Sequence, residues 1–166
     1  MVTLRPVART DASAIAHAVD QSREALRRWM SWYTDDYNVG TTREWLEVSI
    51  AGNAARNCAH FVILDQQSVL GVIGFEEISP ETQQAMLGYW LATPAAGKGV
   101  GHQAIALALD WARAETAVRL VWAAVADANV ASRRVLELNQ FHVAGSSGVN
   151  RHGDPVLRYE RELSRL

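Results

Sequence analysis

The 166-residue sequence lacks several features that would assign it to a specialised class. It has a single cysteine, Cys58, which excludes an intramolecular disulfide and a cysteine-built zinc site. Neither charge is in excess, because 16 Lys and Arg oppose 18 Asp and Glu for a formal net charge of -2. This balance disfavours a non-specific nucleic-acid or membrane-surface binder. We interpret Cys58 as a small buried hydrophobe, with a nucleophilic thiol as the alternative.

Long apolar runs and targeting segments are also missing. No run approaches the roughly 18 apolar residues of a membrane span. Arg5, Arg9 and Asp11 interrupt the region where a secretory signal would be apolar. We therefore expect a soluble, cytoplasmic protein with a single domain over residues 1–166. The five histidines show no metal-ligand spacing, so no metal site is expected.

The first part of the chain predicts a short strand followed by helices. A strand is expected over 2–5, and Asp11 precedes an apolar series that indicates a capped helix. Two more helices are expected at about 22–32 and 41–51, the latter with Thr41 or Thr42 as its N-cap.

The pattern then changes to that of strands. Segments 59–65, 69–78 and 85–92 are rich in β-branched and aromatic residues and predict an antiparallel meander. A glycine-rich turn and a helix from about residue 100 follow, then a buried strand over 119–126. Asn129 opens a short helix to about 138, and segments 141–144 and 156–161 predict a closing hairpin.

The glycine-rich turn joins a strand to a helix, with Lys98 between Gly97 and Gly99. Glycines let backbone N–H groups face outward, and the helix N-terminus adds positive potential, so the turn suits a pyrophosphate. An ordinary strand-to-helix turn is the alternative. A P-loop is excluded because Gly99, not Ser or Thr, follows Lys98. A Rossmann fingerprint, Gly99-x-Gly101-x-x-Ala104, is disfavoured because the preceding strands have links too short for crossovers.

Five motifs, in this order and spacing, carry a family resemblance: LRRWMSWY (26–33), GVIGF (71–75), LGYWL (87–91), GKGVG (97–101) and NVASRRVLELNQF (129–141). Together they resemble the GNAT-fold N-acetyltransferases, and within them the Rim-type ribosomal-protein-serine N-terminal acetyltransferases. The resemblance implies an α/β (α+β) fold with a mixed, mostly antiparallel sheet of about six or seven strands. The sheet would splay between the fourth and fifth strands and carry about four flanking helices.

The resemblance also implies an acetyl-CoA site. The pantetheine arm would lie in the splay against backbone groups of Trp90, Leu91 and Ala92, where an N–H group would stabilise the oxyanion. The pyrophosphate would meet the loop and helix start, with Ala96 standing where the superfamily usually has Arg or Gln. The expected cofactor-binding residues of this loop are Gly97, Lys98, Gly99, Val100, Gly101 and His102.

Asn129 and Ser132 lie one helical turn apart and would both flank the splay. Asn129 is expected to bind cofactor, cap its helix, or do both. The resemblance implies that the Ser132 hydroxyl binds the cofactor and protonates the departing thiolate. The alternative is an ordinary polar residue in the first helical turn.

Candidates for the general base are Glu76, Glu77, Asp35 and Asp36. Strand alternation places only one of Glu76 and Glu77 on the ligand face, and the small residues that share the face of Glu76 favour it. Two solvated carboxylates are the alternative.

Trp29, Trp32 and Tyr33 are spaced to share one helix face, either as core or as a wall of the acceptor site. His152 is expected at the rim of that site. The predicted activity is direct acetyl transfer from acetyl-CoA to a protein N-terminal α-amine or a small-molecule amine, without an acyl-enzyme. The alternative is a regulatory acyl-CoA-binding module without transferase activity. We expect a monomer or homodimer with no nucleic-acid or membrane partner.

Overall fold

The structure, a computed structural model, describes residues 1–164, so the last two residues of the predicted domain lie outside the described residues. Its elements follow the predicted order, with five α-helices in place of about four. Short 3₁₀ turns precede α1 and α4. The bounds are β1 Val2–Pro6, α1 Ala12–Asp20, α2 Arg23–Trp29, α3 Val39–Ala55, β2 Ala59–Asp65, β3 Ser68–Ser79, β4 Gln84–Leu91, α4 Val100–Glu115, β5 Leu120–Ala126, α5 Val130–Leu138, β6 His142–Val149 and β7 Pro155–Glu162.

The strands form one seven-stranded sheet in the order β1-β2-β3-β4-β5-β7-β6. Neighbouring strands are antiparallel except for the central pair, β4 and β5, which is parallel. That pair is joined only where residues 84–86 face residues 120–122. Beyond these three residue pairs the strands diverge, which confirms the predicted splay.

Both faces of the sheet are covered, because strand alternation sends successive side chains to opposite sides. Helices α4 and α5 pack on one face, with Ile105, Leu109 and Leu136 in its core. Helices α1, α2 and α3 cover the other face, with Ile15, Leu26 and Leu46 in a separate core. In residues 1–164, no helix has the length and apolarity that a membrane crossing requires.

Two predicted helix boundaries were wrong. Helix α2 ends at Trp29, and Met30 is extended, because Trp32 packs against Tyr37 and Trp90 instead of continuing the helix. Helix α3 begins at Val39, and its N-cap is Asn38, whose side chain accepts from the N–H of Gly40 at 2.7 Å. Thr42 lies inside the first turn, where its buried hydroxyl donates to the Tyr37 hydroxyl at 2.9 Å.

The close contact between β3 and β4 depends on Gly71. This residue faces Leu91 and has a φ of +154°, and a Cβ there would overlap the carbonyl oxygen of Trp90. Gly88, on the neighbouring strand, has no atom within 4 Å of the position of a Cβ.

We expect Gly71→Ala to lower the free energy of unfolding by about 1–3 kcal/mol, because β3 and β4 must move apart. Gly88→Ala should change it by less than about 0.5 kcal/mol in the same urea titration. Equal stabilities for the two variants would contradict this account.

Candidate active site

The unpaired ends of β4 and β5 expose backbone groups to the splay. The N–H of Ala92 donates to the carbonyl of Leu70 at 2.7 Å, and its carbonyl accepts from Ala95 at 2.8 Å. Both backbone groups of Ala92 are therefore already bonded within the chain, and its pairing with a ligand stays a prediction. Backbone direction alternates along a strand, so Trp90 also faces β3, whereas the N–H and carbonyl of Leu91 face the splay. Of the three predicted residues, Leu91 has its backbone available to a ligand.

The side chain of Trp90 belongs to an aromatic cluster on the α1–α3 face. Its ring lies 5.9 Å from that of Trp32, which in turn lies 5.6 Å from Tyr37 and 6.4 Å from Tyr33. Trp32 is 42% exposed, whereas the other three are buried. Trp29 points elsewhere, with the Arg28 guanidinium 4.2 Å from its ring centroid. The prediction that Trp29, Trp32 and Tyr33 share one helix face was therefore wrong. Trp32 is the residue of the aromatic cluster that is exposed at the surface.

The loop between β6 and β7 packs against the chain that follows α2. Arg151 donates to three backbone carbonyls of segment 27–33, at 2.6–3.2 Å. Arg28 forms an ion pair with Asp154 at 2.5 Å. His152 Nε2 lies 3.2 Å from the carbonyl at the start of the same segment. These contacts hold the loop beside the segment that carries Trp32, and the position of His152 at the rim of an acceptor site stays a prediction.

The glycine-rich turn presents a row of unpaired backbone donors. Gly97 and Gly99 adopt left-handed conformations, with φ of 73° and 75°, and Gly99 is the N-cap of α4. Among the described residues, the six N–H groups of 97–102 have no hydrogen-bond acceptor. Added Cβ atoms at Gly97 and Gly99 would meet almost nothing. We call this turn the N–H cradle, and it suits an anionic group such as a pyrophosphate.

The side chains of the predicted loop residues have different surroundings. Gly101 and Val100 are buried at the start of α4. Lys98 lines an open cavity of about 770 Å³ on the α1 side of the loop, together with His17 and Gln103. His102 is exposed and faces a smaller cavity between α4 and the end of α5. The backbone of these loop residues thus forms the cradle, whereas their side chains point to different sides of it.

Ser132 and Asn129 lie where they were expected, at the start of α5. The Asn129 side chain is the N-cap and accepts from the backbone N–H of Ser132 at 3.2 Å. The Ser132 hydroxyl lies 2.9 Å from the hydroxyl of Tyr89 on β4. Burial raises the pKa of Tyr89, while the hydrogen bond to Ser132 lowers it by less. The N-cap function of Asn129 therefore leaves the Ser132 hydroxyl available for another role.

Glu76 is distinguished from the other candidate bases by its partner. Its Oε1 lies 2.6 Å from Nε2 of His60, which is buried and packs beside the ring of Trp45. The hydrogen bond from His60 lowers the pKa of Glu76, although burial opposes the shift. Glu76 therefore stays ionised at neutral pH and is a weak base.

The other three carboxylates are exposed, and two have local partners. Asp35 forms an ion pair with Arg27 at 2.7 Å, and Asp36 accepts from the Thr34 hydroxyl at 2.6 Å. Glu77 occupies a break in the β3–β4 register, with a φ of 51°.

Cys58 is half-buried beside the Glu76–His60 pair. Its Sγ lies 3.6 Å from Nδ1 of His60 and 3.7 Å from Oδ1 of Asn53. Burial, assisted by the charge of Glu76, raises the pKa of this thiol. A raised pKa disfavours the thiolate that nucleophilic catalysis requires.

Comparison with known proteins identifies the family. Residues 1–142 match the family model of the acetyltransferase (GNAT) domain. The chain belongs to the GNAT acetyltransferase family. It is 27% identical over 153 residues to the probable N-acetyltransferase YjcK of Bacillus subtilis (strain 168), covering 90% of this chain and 84% of that protein. It is 25% identical over 102 residues to the ribosomal-protein-serine acetyltransferase of Escherichia coli (strain K12). That match covers 61% of this chain and 57% of that protein.

Solved structures share the fold of this GNAT chain. The ribosomal L7/L12 α-N-protein acetyltransferase RimL, in complex with coenzyme A, superposes with a TM-score of 0.89 at 24% identity. The match covers 98% of this chain and 94% of RimL. The microcin C7 self-immunity acetyltransferase MccE, bound to acetyl-CoA and AMP, gives 0.90 at 19% identity, covering 98% and 92%. These likenesses confirm the predicted GNAT fold and the resemblance to Rim-type proteins.

Three residues of the site were not predicted from the sequence: Tyr89, His60 and Arg151. Tyr89 lies within the LGYWL motif, but the prediction for this strand involves only backbone groups of Trp90, Leu91 and Ala92. His60 and Glu76 share a sheet face in the observed register, so the predicted meander could have identified this pair. Arg151 reaches segment 27–33 across about 120 positions of sequence, and no local pattern indicates that contact.

The Glu76–His60 pair predicts a specific dependence of stability on pH. Because the pKa of Glu76 is lowered in the folded chain, its contribution is complete above the ordinary glutamate pKa of about 4.3 and disappears as the pH falls through the lower folded value. The stability difference between wild type and Glu76→Gln should therefore be largest above about pH 5 and shrink toward about pH 3. Urea titrations across this range would measure it. Glu77→Gln removes the neighbouring exposed carboxylate and should give a flatter difference; identical profiles would contradict the assigned Glu76–His60 hydrogen bond.

Proposed function

We propose that this GNAT chain transfers the acetyl group of acetyl-CoA directly to a primary amine in a ternary complex. The preferred acceptor is a protein N-terminal α-amine, as the names of its Rim-type relatives suggest. The observation that carries the proposal is the N–H cradle placed at the open end of the splay. An anion site beside an unpaired parallel strand fits a ligand with a pyrophosphate and an amide-bearing arm.

The residues around the splay suit each part of that ligand. The N–H groups of 97–102 would hold the pyrophosphate, with Lys98 adding positive potential. The backbone of Leu91 would bind the pantetheine amides, and backbone N–H groups facing the splay would stabilise the oxyanion. Acetyl-CoA supplies the activated thioester.

The acceptor amine would enter on the α1–α3 face. Trp90 lies on this face of β4, and half-exposed Trp32 lies beside it. Glu76 lies on the same face of the sheet as Trp90. It is four residues from Val72 on β3, and Val72 pairs with Trp90. Its ionised carboxylate would attract the ammonium form of the amine and take the proton through water. A free α-amine titrates near 8, so modest base assistance suffices.

A panel of acceptors tests the activity. Purified chain is incubated with acetyl-CoA and either Ser-, Thr-, Ala- or Met-starting peptides or free small amines, and thiol release is measured. Fastest release with a peptide supports the preferred acceptor, and fastest release with a small amine reassigns it. Retained CoA affinity without release to any amine would indicate a regulatory binding module and overturn the proposal.

Gly99→Glu tests the N–H cradle. The new carboxylate would enter the space beside the N–H cradle and repel a pyrophosphate, so we expect no measurable CoA binding by calorimetry. Gly148→Glu is the matched control, because Gly148 also has a left-handed φ, of 87°, and open space around its Cβ position. It introduces the same charge and comparable backbone strain at a register break in β6. Equal CoA affinity in both folded variants would refute the cradle.

Ser132→Ala tests the leaving-group role. Because Asn129 provides the cap, we expect this variant to retain α5 and its CoA affinity. Its kcat should fall about tenfold, below the usual range of roughly 10²- to 10⁴-fold for general-acid assistance, because a thiolate is already a fair leaving group. Melting temperature, CoA affinity and turnover are measured on one preparation. Normal turnover would remove Ser132 from the catalytic residues, and a parallel fall in CoA affinity would reassign it to cofactor binding.

A further inference from the structure

Tyr89 and Ser132 connect the two sides of the splay. Tyr89 lies on β4 beyond its last pairing with β5, and Ser132 lies on the helix that follows β5. Their hydroxyl oxygens are 2.9 Å apart. Within residues 1–164, this is the only side-chain hydrogen bond between β4 and α5. The paired hydroxyls therefore span the opening that the diverging strands create.

The pair also lies close to the N–H cradle. A Cβ at Gly101, in the first turn of α4, would be 3.7 Å from Cε2 of Tyr89 and 3.3 Å from Cγ1 of Val135. The Tyr89 ring thus packs where the start of α4 meets α5. An arm that runs from the cradle into the splay would pass beside this ring.

The hydrogen bonds of Ser132 leave one proton available. Its backbone N–H is bound by Asn129, and in the described residues the hydroxyl contacts Tyr89 alone. Two hydroxyl groups carry two hydrogens, of which their mutual hydrogen bond uses one. The other can point toward an acceptor in the splay. Burial of Tyr89 keeps its phenol protonated at neutral pH.

The acidities favour a phenol as the source of this proton. An unactivated serine hydroxyl is a far weaker acid than a thiol, so Ser132 alone is a poor donor to a thiolate. A tyrosine, with an ordinary pKa of about 10, is a much stronger acid than a serine hydroxyl. Burial raises the pKa of Tyr89, and its hydrogen bond to Ser132 offsets part of that shift, so the phenol remains the more acidic hydroxyl of the pair.

We propose that Tyr89 is a positioning residue that supplies, through Ser132, the proton taken up by the departing CoA sulfur. This role rests on the proposed acetyl transfer. As the carbon–sulfur bond breaks, the Ser132 O–H proton moves to sulfur and the Tyr89 O–H proton moves to Ser132 Oγ. Tyr89 is left as a phenolate and regains its proton from water. The proton lost by the amine leaves separately toward Glu76, so charge and protons balance.

A double-mutant cycle tests this relay with acetyl-CoA and the fastest amine of the panel. We expect Tyr89→Phe to lower kcat about tenfold without changing the KM for acetyl-CoA, as proposed for Ser132→Ala. Because the two hydroxyls act in series, the double variant should be no slower than the slower single variant. Tyr159→Phe is the control: it removes another buried hydroxyl, bonded to Glu137 and Arg133, and should leave kcat unchanged. Melting temperatures separate folding defects from catalytic ones.

Three outcomes would overturn the role of Tyr89. An unchanged kcat, or a raised KM with kcat retained, would show that Tyr89 only shapes the groove. Multiplied losses of about a hundredfold in the double variant would show that the hydroxyls act independently. Absence of thiol release by the wild type would overturn the proposed function together with the relay, whereas an active wild type with an unimpaired Tyr89→Phe overturns the relay alone.

Discussion

The short parallel pairing of β4 and β5 is the constraint on which the rest of the site depends. Only residues 84–86 and 120–122 are joined, although both strands continue for several residues. Backbone groups beyond that point lose their strand partner, and unpaired polar groups are costly when water is excluded. In the proposed function, a polar, extended ligand takes the place of the missing strand partner. The N–H cradle follows the end of β4, so the proposed anion site continues the same strand.

A second constraint fixes the α1–α3 side of the opening. The segment after α2 has no regular structure of its own, yet it carries Trp32 and Tyr33. Its carbonyls are bound by Arg151, and the Arg28–Asp154 ion pair adds a second link to the same loop. Exposed ion pairs contribute little stability individually. Here several bonds converge on one short segment, so their effect is to position the exposed tryptophan beside Trp90.

Features that depend on contacts between residues close in sequence could be predicted, and features that depend on distant contacts could not. The meander, the α4 stripe and the Asn129 cap depend on neighbours within a few residues, so the sequence predicted them. The end of α2 depends on the packing of Trp32 against Tyr37 and Trp90, and helical periodicity alone extended it to residue 32. Residue spacing also cannot show that the N–H of Ala92 is bound by Leu70, because that contact requires the register of β3 on β4.

The same register separates the two kinds of proton chemistry in the proposed reaction. Glu76 and Trp90 belong to one face of the sheet, whereas the side chain of Tyr89 lies on the opposite face with α4 and α5. In the proposed reaction one proton leaves the amine while another reaches the sulfur. If the hydroxyl that donates a proton lay beside the carboxylate that accepts one, the proton would pass directly between these two groups. Strand alternation places the carboxylate–imidazole pair and the hydroxyl pair on opposite faces. The splay is the opening between these faces, so it is where an amine and a thioester could meet with both proton routes available.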